Sequence, residues 1–237
     1  MKTEITFFQA ACIAWMATAL TTAQAADPQA NAPALQESPP AAVLKFVEKP
    51  ATAETLRQLR AGGYALYLRH GPTNNAISDR TPAVDLNDCS TQRPLTESGR
   101  QLMATVGASM RQARIPIGEF RVSPMCRARQ SAAAAFPQLT PVVDNQLMYV
   151  ANFTDLEKAP IIANTRKLLS TPVPSGSNRL VLAHAPNLTD LIGYFPKEGT
   201  LVIFRPRGAG AGFDYIASVL PARWDGLLQQ DRNQDKK

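Results

Sequence analysis

The sequence predicts an α/β protein, a three-layer α/β/α sandwich around a mostly parallel central sheet. Two short runs, Tyr64–Leu68 and Leu180–Ala183, are almost wholly apolar and are bounded by glycine or polar residues. Such runs suit strands buried on both faces, the condition of a parallel sheet covered by helices. Segments with a helical apolar period separate them, and strands alternating with helices are the pattern of α/β layering. The length agrees, since 237 residues hold one such domain with terminal extensions.

The N-terminal stretch is expected to lie outside that domain. Lys2 is followed by the apolar run Phe7–Leu20 and then by small residues, with Ala23-Gln24-Ala25 fitting a small-x-small cleavage site. This is the layout of a secretory signal peptide over residues 1–25; an uncleaved N-terminal anchor is the alternative. The run is shorter than the roughly 20 apolar residues that cross a bilayer. No stable membrane span is therefore expected after cleavage, and the protein is expected to be periplasmic or secreted. Residues 26–50, rich in Ala, Pro and Gln without a steady period, read as a flexible leader. The folded domain is expected over 51–225, with 226–237 as a polar tail.

Within the domain, Thr52 as N-cap and Gly62-Gly63 as a stop frame a helix over Ala53–Ala61. The strand Tyr64–Leu68 ends abruptly in Arg69-His70-Gly71-Pro72. A polar loop, Thr73–Arg93, comes next, and loops of that length in compact domains are usually functional. Thr96 caps a helix reaching Ala113, whose Leu102, Met103, Val106 and Met110 share a face. Phe120–Val122 reads as a short strand. Ser123-Pro124 is expected to open another helix, with proline at its first position, carrying Arg127 and the alanines 132–135. Pro141–Val143 reads as a strand and Asp155–Leu169 as a helix. After a Pro, Ser and Gly connector over Thr171–Asn178, the strand Leu180–Ala183 leads into His184-Ala185-Pro186-Asn187. Thr200–Phe204 and Phe213–Leu220 read as two strands joined by the turn Gly208–Gly212, a hairpin at the sheet edge.

The net charge is +6, carried mostly by single arginines spread along the chain. With no Lys/Arg block and no aromatic interleaving, a nucleic-acid partner is not expected. The positive field favours a small anionic substrate. Cys12 falls in the signal segment, leaving Cys89 and Cys126. An even pair in a chain bound for an oxidising compartment is expected to form a disulfide, two separate buried thiols being the alternative.

The chain has only two histidines, His70 and His184, and each stands immediately after a buried-strand segment. Ser123 and Arg127 follow a third strand. The carboxyl ends of strands in open α/β sheets line the ligand crevice, so Arg69, His70, Arg127 and His184 are expected to meet there. Two guanidiniums and two imidazoles make a site for a tetrahedral dianion, to which the amides at the start of the helix after Ser123 contribute. Two histidines without a clustered carboxylate are a poor metal-ligand set, so neither metal nor other cofactor is expected.

These segments carry a resemblance. Leu68-Arg69-His70-Gly71-Pro72-Thr73 resembles the RHG signature of the histidine phosphatase superfamily, the phosphoglycerate mutase-like group. Pro94-Leu95-Thr96-Glu97-Ser98-Gly99 is similar to its LTxxG segment, and Ser123-Pro124-Met125-Cys126-Arg127-Ala128-Arg129-Gln130-Ser131-Ala132 to its SPxxRAxQTA segment. Ala183-His184-Ala185-Pro186-Asn187-Leu188 takes the place of its second-histidine motif. The likeness runs from about Tyr64 to Phe204 in family order.

The resemblance implies a metal-independent phosphomonoester hydrolase in which His70 attacks phosphorus and becomes phosphohistidine. Arg69, Arg127 and His184 are implied to hold the phosphoryl oxygens, and Thr73 to touch phosphate through its hydroxyl. The proton donor is where the match departs, because Ala185 rather than Asp follows His184. Asp155, ahead of Glu157, is the residue expected to serve. A Cys89–Cys126 disulfide would tie the Thr73–Arg93 loop to the helix bearing Arg127. Cys126 is not expected to be a nucleophile, since cysteine phosphatases need C-x5-R and Ala132 stands in that place. That loop and Met148–Lys158 are expected to shape the pocket, for a substrate such as a sugar phosphate of the cell envelope. A catalytically weak or inactive phospho-ligand binding protein of the envelope is the alternative. A phosphomutase fits an exported chain less well.

Overall fold

A six-stranded sheet forms the centre of the described residues, 45–80, 84–208 and 210–234 of the computed structural model. Its strands are β1 (Ala65–Arg69), β2 (Ile117–Val122), β3 (Val142–Val143), β4 (Asn178–Ala183), β5 (Leu201–Gly208) and β6 (Gly212–Val219), in spatial order β3-β2-β4-β1-β5-β6. The first four in that order run parallel, and β5 and β6 add an antiparallel edge. The Gly208–Gly212 turn makes the expected hairpin. The expected signal peptide (1–25) and residues 26–44 of the expected leader lie outside the described residues. Among these residues, no helix is long and apolar enough to cross a membrane.

Alternate residues of the central strands feed two cores. Leu66, Leu68, Leu180 and Leu182 face α1 (Ala53–Ala61), α2 (Glu97–Gln112), α3 (Cys126–Ala135) and α6 (Trp224–Gln234). Tyr67, Val181, Ala183 and Val202 face α4 (Asp155–Ser170) and α5 (Ala185–Ile192). The period of two in a strand thus places Leu180 to Ala183 alternately in the two apolar layers, and all six residues of β4 are buried. The molecule is the three-layer sandwich that the sequence predicts.

Three boundaries differ from the sequence reading. Residues 226–234 of the expected polar tail are not loose: α6, ending at Gln234, continues through them. Trp224, Leu227, Leu228 and Asp231 recur at helical spacing and are buried, and Arg60 grips Asp231 with two bonds of 2.8 and 2.9 Å. The domain also begins before residue 51. Phe46 stacks on Tyr194 with ring centres 4.2 Å apart, and Ser218 N–H donates to Lys49 O at 2.8 Å, so 45–50 lie along β6. Finally, Ser123-Pro124 precedes α3 rather than opening it, because the helix starts at Cys126 with Met125 as its cap.

One contact brings the β1 terminus to its neighbours. A Cβ on Gly71 would meet Gly99 O and Met103 Cγ at 2.7 Å, and one on Gly99 would meet Pro72 O at 2.2 Å. The turn after His70 and the first turn of α2 therefore touch backbone to backbone, which only glycine at both positions permits.

Candidate functional site

β2, β4 and β1 lie side by side and parallel, so the first residues beyond their carboxyl ends meet at one edge: Ser123, His184 and His70. The sheet ladder extends into them, with His70 N–H donating to Ala183 O at 3.1 Å and Ser123 N–H to Leu182 O at 3.0 Å. The two imidazoles lie 5.2 Å apart, centre to centre, and are essentially inaccessible to solvent.

Their hydrogen bonds define what each ring offers. His70 Nδ1 lies 2.8 Å from Gly71 O. A carbonyl only accepts, so Nδ1 carries the proton and Nε2 keeps its lone pair. Burial holds the His70 pKa well below its ordinary 6.5, and the Arg127 charge adds to this. The ring is therefore neutral at neutral pH. His184 is likewise held well below 6.5, by burial first and then by Arg127. Its Nε2 lies 2.7 Å from Ser123 Oγ, while its buried Nδ1 has no partner. The Tyr67 hydroxyl, itself kept protonated by burial, donates to His184 O at 2.8 Å and accepts from His184 N–H at 3.1 Å.

The arginines supply unspent donors around this pair. Arg127, in the first turn of α3, is completely buried and gives one bond, Nη1 to Asp79 Oδ1 at 2.9 Å. Its Nε and Nη2 are buried without partners. Arg69 donates from Nη1 to Pro196 O at 2.6 Å and has Glu198 3.5 Å from Nη2, leaving a buried Nε unpaired. Thr73 Oγ1 is buried and unpaired as well. Leaving buried donors unmade is costly. Here they cluster beside a neutral imidazole with a free lone pair, and the set is suited to gripping a tetrahedral oxyanion.

The structure gathers His70 and His184 with the charges of Arg69 and Arg127 around them, but not Asp155. That carboxylate is 97% exposed at the start of α4 and pairs with Lys158 at 3.0 Å. Glu157 is spent on capping Thr154. The carboxylate found on the site's arginine is instead Asp79, whose side chain is only 8% exposed. Arg93 and Tyr149 were also not singled out by their sequence context. The Tyr149 ring centre is 5.5 Å from that of His184, 5.0 Å from Arg127 Cζ and 5.8 Å from Arg93 Cζ. Both loops holding these residues were legible as pocket-shaping, yet nothing in their polar composition marks one Asp or Arg over its neighbours.

Cys89 and Cys126 are joined in the expected disulfide, which ties the loop to α3. Beside it, Cys126 N–H donates to Gln92 Oε1 at 2.8 Å and Arg129 Nη2 to Leu86 O at 3.0 Å. No group of three or more His, Cys, Asp or Glu side chains able to hold a metal occurs among the described residues.

No protein-family profile matches the chain, and no curated protein matches it by sequence. Solved structures do. The protein histidine phosphatase SixA, solved with tungstate, matches with a TM-score of 0.47 at 17% identity, covering 68% of this chain and 98% of its own. A protein described as mycobacterial hydrolase 1 matches with a TM-score of 0.47 at 15% identity, over 66% of this chain and 99% of its own. The mycobacterial glucosyl-3-phosphoglycerate phosphatase, solved with VO3, matches with a TM-score of 0.43 at 14% identity, over 65% and 98%.

Proposed function

We propose that this chain is an exported phosphatase of the histidine phosphatase superfamily, hydrolysing phosphomonoesters through a phosphohistidine on His70. The observation that carries the proposal is the pairing of a neutral His70, its Nε2 lone pair free, with buried unpaired donors on Arg69, Arg127, His184 and Thr73. In the first step the P–Nε2 bond forms as the P–O bond to the leaving alcohol breaks, and the alcohol oxygen takes up a proton. In the second, water attacks phosphorus, the P–Nε2 bond breaks, and phosphate leaves with His70 restored. The fixed guanidinium and imidazole donors offset the charge spread over the phosphoryl oxygens without rearranging during reaction. The leaving-group proton comes from water, since the Asp79 carboxylate is spent accepting from Arg127 and from Arg93 N–H and Asp155 faces solvent. The disulfide supports an oxidising compartment, periplasmic or secreted, where a sugar phosphate of the cell envelope is a suitable substrate.

Release of nitrophenol from p-nitrophenyl phosphate, in EDTA, tests the reading against His70→Ala. The wild-type chain is expected to hydrolyse the ester. The variant is expected to lose about 10⁴-fold or more, the scale of nucleophile removal. Hydrolysis surviving in the variant, or absent from both from acidic to neutral pH, would reject the proposal, the second result favouring a phospho-ligand binding protein.

A further inference from the structure

Arg93 is a third guanidinium at the site, and the transfer chemistry above leaves it unused. Its side chain has no hydrogen bond or ion pair among the described residues, and its Nε is buried. The backbone beneath it is firmly held. Arg93 N–H donates to Asp79 Oδ1 at 2.8 Å, the same oxygen that accepts from Arg127. Asn74 N–H donates to Pro94 O at 3.0 Å, and the neighbouring Gln92 is bonded to Cys126. Arg93 and Arg127 share the Tyr149 ring, at 5.8 and 5.0 Å from its centre.

A transferring phosphoryl group presents three non-bridging oxygens. Arg127 Nε and Nη2, Arg69 Nε, His184 Nδ1 and Thr73 Oγ1 already offer five groups to them. The Arg93 guanidinium also sits further from the shared Tyr149 ring than that of Arg127 does, 5.8 against 5.0 Å. An unpaired, partly desolvated cation is costly to hold, and a ligand anion offsets that cost. Because the loop is already pinned, little ordering is required when the anion arrives.

We propose that Arg93 forms a second anion subsite beside the phosphoryl site. The preferred substrate is then a phosphomonoester with another anionic group, phosphate or carboxylate, adjacent to the scissile phosphate. This rests on the phosphatase reading for its chemistry, although binding at the subsite does not require turnover.

Calorimetric titration of the disulfide-intact protein with methylphosphonate, methylenediphosphonate and phosphonoacetate tests it. Wild type is expected to bind the diphosphonate at least about tenfold more tightly than methylphosphonate, a difference of about 1.4 kcal/mol. Preference for phosphonoacetate would identify a carboxylate as an accepted second anion. Arg93→Gln is expected to bring the diphosphonate ratio to about one, and Arg93→Lys to retain part of it, which also guards against misfolding as the cause. Equal affinities in wild type overturn the subsite. So does equal weakening of all three ligands in Arg93→Gln, which would assign Arg93 to the transferred phosphoryl. Preference retained in a protein without p-nitrophenyl phosphate hydrolysis would leave the subsite standing and reject the phosphatase reading instead.

Discussion

Ser123 illustrates how one hydroxyl decides the chemistry of a neighbour. Its Oγ accepts from Met125 N–H at 3.3 Å and lies 2.7 Å from His184 Nε2. A hydroxyl proton directed to Nε2 leaves the His184 proton on Nδ1, the nitrogen without a protein partner. Nδ1 is then a donor for a phosphoryl oxygen. Ser123→Ala frees the other tautomer and is expected to lower kcat by about tenfold or more, the loss typical when a supporting partner of a site residue is removed. Ser123→Thr is expected to restore most of it. Imidazole nitrogen NMR checks the cause, since the tautomer ratio of His184 shifts in the alanine variant only. The sequence context of Ser123 suggests a helix cap, the commonest use of serine before proline. Its actual partner is 61 residues away and becomes visible only when β2 and β4 are side by side.

At the scale of elements, the loop between β1 and α2 is a fixed part of the site. It carries Asp79 and Arg93, and the Cys89–Cys126 bond spans a sequence separation of 37. Closing a loop of that length stabilises by about 4 kcal/mol in the chain-entropy estimate. Replacing both cysteines by serine is therefore expected to lower Tm by roughly 8–16 °C, at 2–4 °C per kcal/mol for a chain of this size. Phosphatase activity is expected to fall as well, as Asp79 loses its fixed position on Arg127. Calorimetry and p-nitrophenyl phosphate hydrolysis, with and without a dithiol reductant on the wild type, measure the two effects. Unchanged activity in the double variant would show that the remaining hydrogen bonds suffice to hold the loop. A comparable lesson comes from α6. Its buried positions follow helical spacing, but the polar residues among them mask the pattern, and the anchoring Asp231 has its partner, Arg60, on α1.

For the whole molecule, the site imposes a cost that depends on pH. Both histidines titrate well below 6.5 when folded, whereas in the unfolded chain they titrate near that value. Below pH 6.5 the unfolded state takes up protons that the folded state refuses, so stability falls as pH is lowered and recovers as pH rises through 6.5. The slope is at most about 1.4 kcal/mol per pH unit for each histidine. Urea unfolding between pH 5 and 7, above the main carboxylate range, is expected to show this slope, and His184→Gln to flatten it. An unchanged slope in the variant would mean that other groups carry the dependence.

Much of this architecture follows from local physics. Apolar runs such as Tyr64–Leu68 and Leu180–Ala183 bury on both faces wherever the sheet is covered, and a histidine directly after such a run emerges at its carboxyl edge. The places of His70 and His184 at that edge were legible for that reason, as was the disulfide from an even pair of cysteines. The tertiary structure decided what depends on long-range contact. Asp79 meets Arg127 across 48 residues, Arg93 and Tyr149 converge from separate loops, and Asp155 remains in solvent. A polar loop residue encodes no partner in its own neighbourhood; its role is set by where the tether to Cys126 and the packing of the loop hold it. Strands and helices are specified by periodicity along the chain, whereas the placement of charges around a site is specified by distances through space.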